Sequence, residues 1–159
     1  MQVAFGLLFL CLVICVNTLT PVEKCPKGKS LEDYKLTVKV GNCKKSSCRL
    51  KKGRLVVIEF RFTSDRNVKT LTNDVNAIIA GLPFPFIGVD QTPACDNMYE
   101  ADGRTKSGCK LVTGQEYVYR FPIKILEIYP VIKVRVHWGL KADDGNYVMC
   151  FELPASIVT

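Results

Sequence analysis

Residues 131–140 read "VIKVRVHWGL". Ile132, Val134, Val136, Trp138 and Leu140 alternate with Lys133, Arg135 and His137, a period of two with one apolar and one polar face. That period marks an antiparallel strand buried on one side. "DDGN", Asp143–Asn146, follows as a hairpin signal. It leads into "YVMCFEL", where Tyr147, Met149, Phe151 and Leu153 are expected to share a face. Upstream, "YKLTVKV" groups Tyr34, Leu36, Val38 and Val40, and "LVVIEFRF" groups Val56, Ile58, Phe60 and Phe62. "YVYRFPIKI" groups Tyr117, Tyr119, Phe121, Ile123 and Ile125. In residues 68–80, Leu71, Val75, Ile78 and Ile79 would suit a helix, whereas Thr70, Thr72 and the flanking strands favour the strand adopted here. The pattern predicts an all-β fold, a β-sandwich of about seven strands without internal repeats.

The inner faces are rich in aromatic residues, among them Phe60, Phe62, Phe84, Phe86, Tyr117, Tyr119, Phe121, Tyr129, Trp138 and Phe151. Composition is compatible with a filled core and equally with two sheets splayed around a guest. "GLPFPFIGVD", Gly81–Asp90, is too apolar for an ordinary solvated loop, and its two prolines cannot donate ladder hydrogen bonds. It reads as a stiff loop that presents aromatic rings.

Residues 1–18 open the chain with an uncharged apolar run that reads as a signal peptide, cleaved between residues 16 and 20. It is too short to span a bilayer comfortably; a signal anchor is the competing reading. Residues 19–159 then form one domain of ordinary size. Six cysteines remain in it: Cys25, Cys43, Cys48, Cys95, Cys109 and Cys150. An even count in an exported chain predicts three disulfides. A zinc site is the weaker alternative, because no C-x-x-C occurs and His137 is the sole histidine.

The formal charge is +7, densest over Lys44–Arg54, "KKSSCRLKKGR". This run reads as a solvated turn or as a patch for anionic lipid headgroups or an acidic partner. No nucleic-acid-binding motif accompanies it. An enzyme is not expected: there is no G-x-S-x-G, and a Ser-His-Asp site would need His137, which lies on the polar face. No cofactor and no metal are expected. No N-x-S/T sequon is present, so the expected location is extracellular, with the lysosomal lumen as the alternative.

The order and spacing of several motifs carry a resemblance. "NCKKSSC" is followed by "LKKG", "VVIEFRFTS" and "IIAGLPFPF", then by "GCKLVTGQEYVYRFPI", "YPVIKVRVHWGL" and "CFELPASIV". Over Cys25 to Val158 the chain resembles the ML (lipid-recognition) family, which includes Niemann–Pick type C sterol-transfer proteins and mite group 2 allergens. The resemblance implies an immunoglobulin-like β-sandwich with an apolar cavity between its sheets, and disulfides Cys25–Cys150, Cys43–Cys48 and Cys95–Cys109. It implies a tunnel mouth at Phe86 with Ile123, Tyr129 and Trp138 as neighbours. Phe60, Phe84, Tyr119 and Phe121 complete the expected ligand-binding set. Two features depart from the family: the Cys95–Cys109 segment is longer than in the sterol carriers, and Lys110 stands where a proline usually follows the fifth cysteine. The implied function is that of a secreted, monomeric, non-catalytic carrier of a sterol, fatty acid or similar lipid, with transient contact to an anionic membrane or a receptor. The alternative is recognition of lipopolysaccharide-like bacterial lipids in innate immunity.

Overall fold

The computed structural model describes residues 19–41 and 43–159. The expected signal peptide, residues 1–18, lies outside the described residues. Among these, ten strands and one 3-10 turn (Cys95–Asn97) build two facing sheets.

The five stretches with clear alternation become β2 (Thr37–Val40), β4 (Leu55–Thr63), β8 (Glu116–Lys124), β9 (Lys133–Ala142) and β10 (Tyr147–Val158), and the ambiguous residues 68–80 contain the strand β5 (Leu71–Ile79). The other four are β1 (Glu23–Lys24), β3 (Cys48–Lys51), β6 (Leu82–Pro85) and β7 (Met98–Glu100), each too short for a period to be read with certainty. One sheet runs β1-β10-β9-β5-β6, with β3 pairing the end of β10 beyond β1; the other runs β2-β4-β8-β7. Every pairing is antiparallel except β3 with β10.

Phe60 on β4, Tyr119 on β8, and Trp138 and Phe151 on β9 and β10 meet at the centre of the sandwich, each essentially inaccessible. Phe60 stacks on Tyr119 at 4.7 Å and meets the edge of Phe151 at 5.6 Å. These rings join the two sheets. All three disulfides have the pairing implied by the resemblance: Cys25–Cys150, Cys43–Cys48 and Cys95–Cys109.

Two expectations are corrected. Tyr147 does not share the inner face with Met149. The β9–β10 register slips between Tyr147 and Met149, so Tyr147 faces Lys141 while Met149 faces Leu140. A bulge of this kind adds one residue to the period and moves one side chain to the other face. The Tyr147 ring then lies over Gly139, where a Cβ would come within 2.5 Å of it. The second correction concerns Leu82–Pro85, which is not a loop but the edge strand β6, paired to β5 over Asn76–Ile79. Pro83 and Pro85 are two residues apart, so both nitrogens face the same way. On an edge strand that way is solvent, and no ladder bond is lost.

Candidate functional site

Ala80 and Gly81 turn the chain from β5 into β6, both with positive φ, as a two-residue hairpin requires. All four β6 residues are exposed. The next residue, Phe86, is driven inward. Its N–H donates to the Val75 carbonyl at 3.0 Å, and the Asp90 carboxylate accepts from the Val75 N–H at 2.8 Å. The Val89 and Asp90 amides close on the Phe86 carbonyl. This backbone cage holds Phe86 at 3% exposure beside strongly exposed neighbours.

Across from it, Tyr129 meets Phe86 edge to face at 5.6 Å. The Ile87 N–H donates to Tyr129 Oη at 3.0 Å. Burial raises the Tyr129 phenol pKa, opposed by that backbone bond, and the phenol stays neutral at ordinary pH. Phe86 and Tyr129 therefore form a joint between two loops. Around it Phe84, Ile87, Ile128 and Val131 stand exposed.

Inside this joint lies a void of about 20 Å³ between the sheets. Its lining is apolar throughout: Val40, Leu50, Val56, Ile58, Phe86, Ile123, Ile125, Val136, Trp138 and Leu153. The void admits no more than about one water molecule. The one polar side-chain atom carried by these residues, Trp138 Nε1, is buried without an acceptor.

Of the residues expected at the site, Phe86, Ile123 and Trp138 line this seam, and Tyr129 packs edge-on against Phe86 without lining it. Phe60 and Tyr119 lie in the central aromatic cluster beside Trp138 rather than on the seam surface. Phe121 is half-buried, stacked on Tyr119 at 6.3 Å and edge-on to Trp138 at 6.0 Å. Phe84 does not belong to the inner face. It is 49% exposed on β6, which ends at Pro85, so the turn that carries Phe86 inward begins only after it. Leu50 was missed, being read only as part of a charged run. The signal was present in "CRLK", where Cys48 and Leu50 are buried and Arg49 and Lys51 exposed.

One family profile, described as the ML domain, matches residues 20–157. The chain belongs to the ML domain family. As an ML-domain protein it is a non-catalytic lipid-recognition protein. It is 30% identical over 132 residues to the NPC intracellular cholesterol transporter 2 of Danio rerio, covering 81% of this chain and 80% of that one. The ecdysteroid-regulated 16 kDa protein of Manduca sexta is 32% identical over 110 residues, covering 69% of this chain and 70% of the relative. Among solved structures, a Niemann-Pick type C2 protein from the Japanese carpenter ant aligns with TM-score 0.63 at 17% identity. That alignment covers 76% of this chain and 89% of the ant chain and shows a shared fold.

The polar side of the ML-domain sandwich is organised around His137. Its Nε2 lies 3.1 Å from Tyr147 Oη, and its Nδ1 is 3.5 Å from Glu152 Oε1 and 3.5 Å from Cys25 Sγ. Tyr147 donates its hydroxyl to Asp74 Oδ2 at 2.5 Å, and Lys141 Nζ is 2.6 Å from the same oxygen. Cys25, His137 and Cys150 converge in a geometry that could otherwise suit a metal. Both cysteines are spent in one disulfide, so neither can offer a thiolate ligand. Burial acts to raise the Asp74 pKa, but the bonds from Lys141 and Tyr147 and the nearby positive charge outweigh it, and the net direction is down. The group is a set of mutually satisfied hydrogen bonds with no free nucleophile.

Proposed function

We propose that the protein is a secreted carrier that takes up one small apolar molecule, a sterol or a fatty acid, between its sheets. The observation that carries this reading is the apolar seam behind the Phe86–Tyr129 joint. A core with no guest to receive has no need of a mouth whose rings are held in place by a backbone cage. The named cholesterol transporters among the relatives support the same class of ligand. Three disulfides fit the oxidising compartment that secretion provides.

At about 20 Å³ the seam is closed, whereas sites for ligands of this size occupy some hundreds of Å³, on the order of 300 or more. Uptake therefore requires the sheets to part near the mouth, because a close-packed interior has no spare volume. The apolar lining is held by dispersion, which favours parting there, and the Ile87–Tyr129 hydrogen bond is the tie between the loops that opening has to break. Burial of ligand surface at about 25 cal/mol per Å² offsets the cost of opening. The exposed Phe84, Ile87, Ile128 and Val131 would lie against a donor membrane while the ligand passes.

The reading is tested by titrating the purified protein with dehydroergosterol and with oleate, read through energy transfer from Trp138 and through native mass spectrometry. Saturable one-to-one binding of either is the expected outcome. Failure of both, with an empty protein by mass, would refute the carrier.

A further inference from the structure

Trp138 is the sole tryptophan of the chain and is fully inaccessible. Its indole Nε1–H can only donate, and no acceptor lies within reach of it. Among the described residues it is the one buried side-chain nitrogen or oxygen left without a partner. Tyr119, whose ring packs on Trp138, shows the contrast: it gives its hydroxyl hydrogen to Asn73, which passes its amide on to Thr92. A buried donor without a partner costs stability that a phenylalanine at the same place would not. Buried polar groups are nearly always satisfied, so this exception calls for an explanation. The rings edge-on to Trp138, those of Phe60, Tyr119 and Phe121, offer only π faces, which are second-order acceptors. A water in the adjoining void of about 20 Å³ would meet one polar side-chain atom where it needs two or more partners.

We propose that Trp138 Nε1–H selects the ligand, by donating to an uncharged, acceptor-only oxygen on the part of the molecule that inserts between the sheets. The position fits this role. Trp138 on β9 lines the seam together with Phe86, and its register partner on β5 is Val75, whose carbonyl accepts the Phe86 N–H. An inserted chain that passes Phe86 therefore runs along the indole. The rest of the lining decides the chemistry of the oxygen. It is aliphatic or aromatic throughout, so a carboxylate would lose its hydration for a single neutral hydrogen bond. A hydroxyl would satisfy the indole and leave its own hydrogen unpaired. A ketone or an ester accepts one hydrogen and has none to place. Because the seam is nearly closed, a single extended chain parts the sheets less than a fused ring system does. The favoured ligand is thus a long-chain ketone or ester. Sterols and fatty acids bind by apolar burial alone, and the hydrogen bond is added to that burial. The inference rests on the carrier reading and narrows its ligand.

The experiment uses the purified protein labelled with ¹⁵N in tryptophan. Because Trp138 is the sole tryptophan, its indole gives a single proton–nitrogen signal. The probes are n-pentadecane, the methyl ketone of the same chain length and the corresponding mid-chain ketone. The expected result is a downfield shift of the indole proton on saturation with at least one ketone and not with the alkane, the signature of a new hydrogen bond. That ketone should also bind about tenfold more tightly than the alkane. The preference should disappear in Trp138→Phe and in protein whose tryptophan is replaced by its benzothiophene isostere, which lacks the N–H. The isostere keeps the size of the ring system, so it decides the matter if phenylalanine disturbs the core. Equal affinities for ketone and alkane, a shift shared by both, or a preference kept by the isostere protein would overturn the proposal. So would a parent that binds dehydroergosterol or oleate and takes up neither ketone, and in that case the carrier reading stands. If the parent binds none of these molecules, the carrier reading itself fails and this inference falls with it.

Discussion

Tyr119 on β8 donates its hydroxyl hydrogen to Asn73 Oδ1 on β5 at 2.8 Å, a buried bond that ties one sheet to the other. Asn73 is fully inaccessible and passes its amide on to Thr92 Oγ1 at 3.1 Å. Burial raises the Tyr119 phenol pKa well above its usual value, so it remains a donor throughout the working pH range. The bond sits beside the aromatic cluster of Phe60 and Trp138, both of which pack on the Tyr119 ring.

Tyr119→Phe leaves Asn73 Oδ1 buried without its donor. The expected loss is about 1–3 kcal/mol of stability, read from the urea midpoint at constant m-value. A midpoint equal to the parent's would mean that the bond contributes nothing to holding the sheets together.

Phe86→Ala removes a ring that is at once seam lining and mouth. Dehydroergosterol affinity is expected to fall by about tenfold or more, corresponding to the burial of one aromatic side chain. The three disulfides should remain formed, as thiol titration would confirm. An unchanged affinity would take Phe86 out of the site.

Cys25 and Cys150 close a loop with a sequence separation of 125, against 5 and 14 for the other two disulfides among the described residues. Cys25→Ser, with Cys150 also replaced by serine to avoid a free thiol, should cost about 2–5 kcal/mol, measured by denaturant unfolding. Stability equal to the parent's would show that the hydrogen-bonded sheet around His137 suffices without the bridge.

Asp74 is held as a carboxylate against Lys141 and Tyr147, with a folded pKa below its unfolded value of about 3.9. Its contribution to stability is therefore fully present above about pH 4 and is lost as pH falls through the depressed folded value. Asp74→Asn should be less stable than the parent at neutral pH. The gap should shrink as the solution is acidified below about pH 4, followed by thermal unfolding at stepped pH. A gap independent of pH would assign the effect to packing rather than to charge.

Alternation settled the architecture wherever a strand was long enough to show it. β4, β8 and β9 repeat the apolar period over nine or ten residues, and their inner faces are those the pattern names. One inserted residue defeats the same pattern, because the period carries no information about a bulge; Tyr147 on the outer face is the example. Phe84 and Phe86 show a further limit. They share a parity in sequence, yet one is exposed and the other caged, since β6 ends between them and the chain turns.

The sequence by itself determined the two-sheet class, the six cysteines available for pairing, the family, and the aromatic residues from which a mouth is made. Each of these depends on local period, residue type or spacing along the chain. Only the tertiary structure decided that the seam is closed at about 20 Å³, that Phe60 and Tyr119 pin the sheets rather than line it, and that Leu50 forms one of its walls. It also decided that the charged run stands over an open flank of the sandwich. The physical reason is that the separation of two sheets is set by how side chains distant in sequence pack against one another, and periodicity along one strand is silent about the strand it faces.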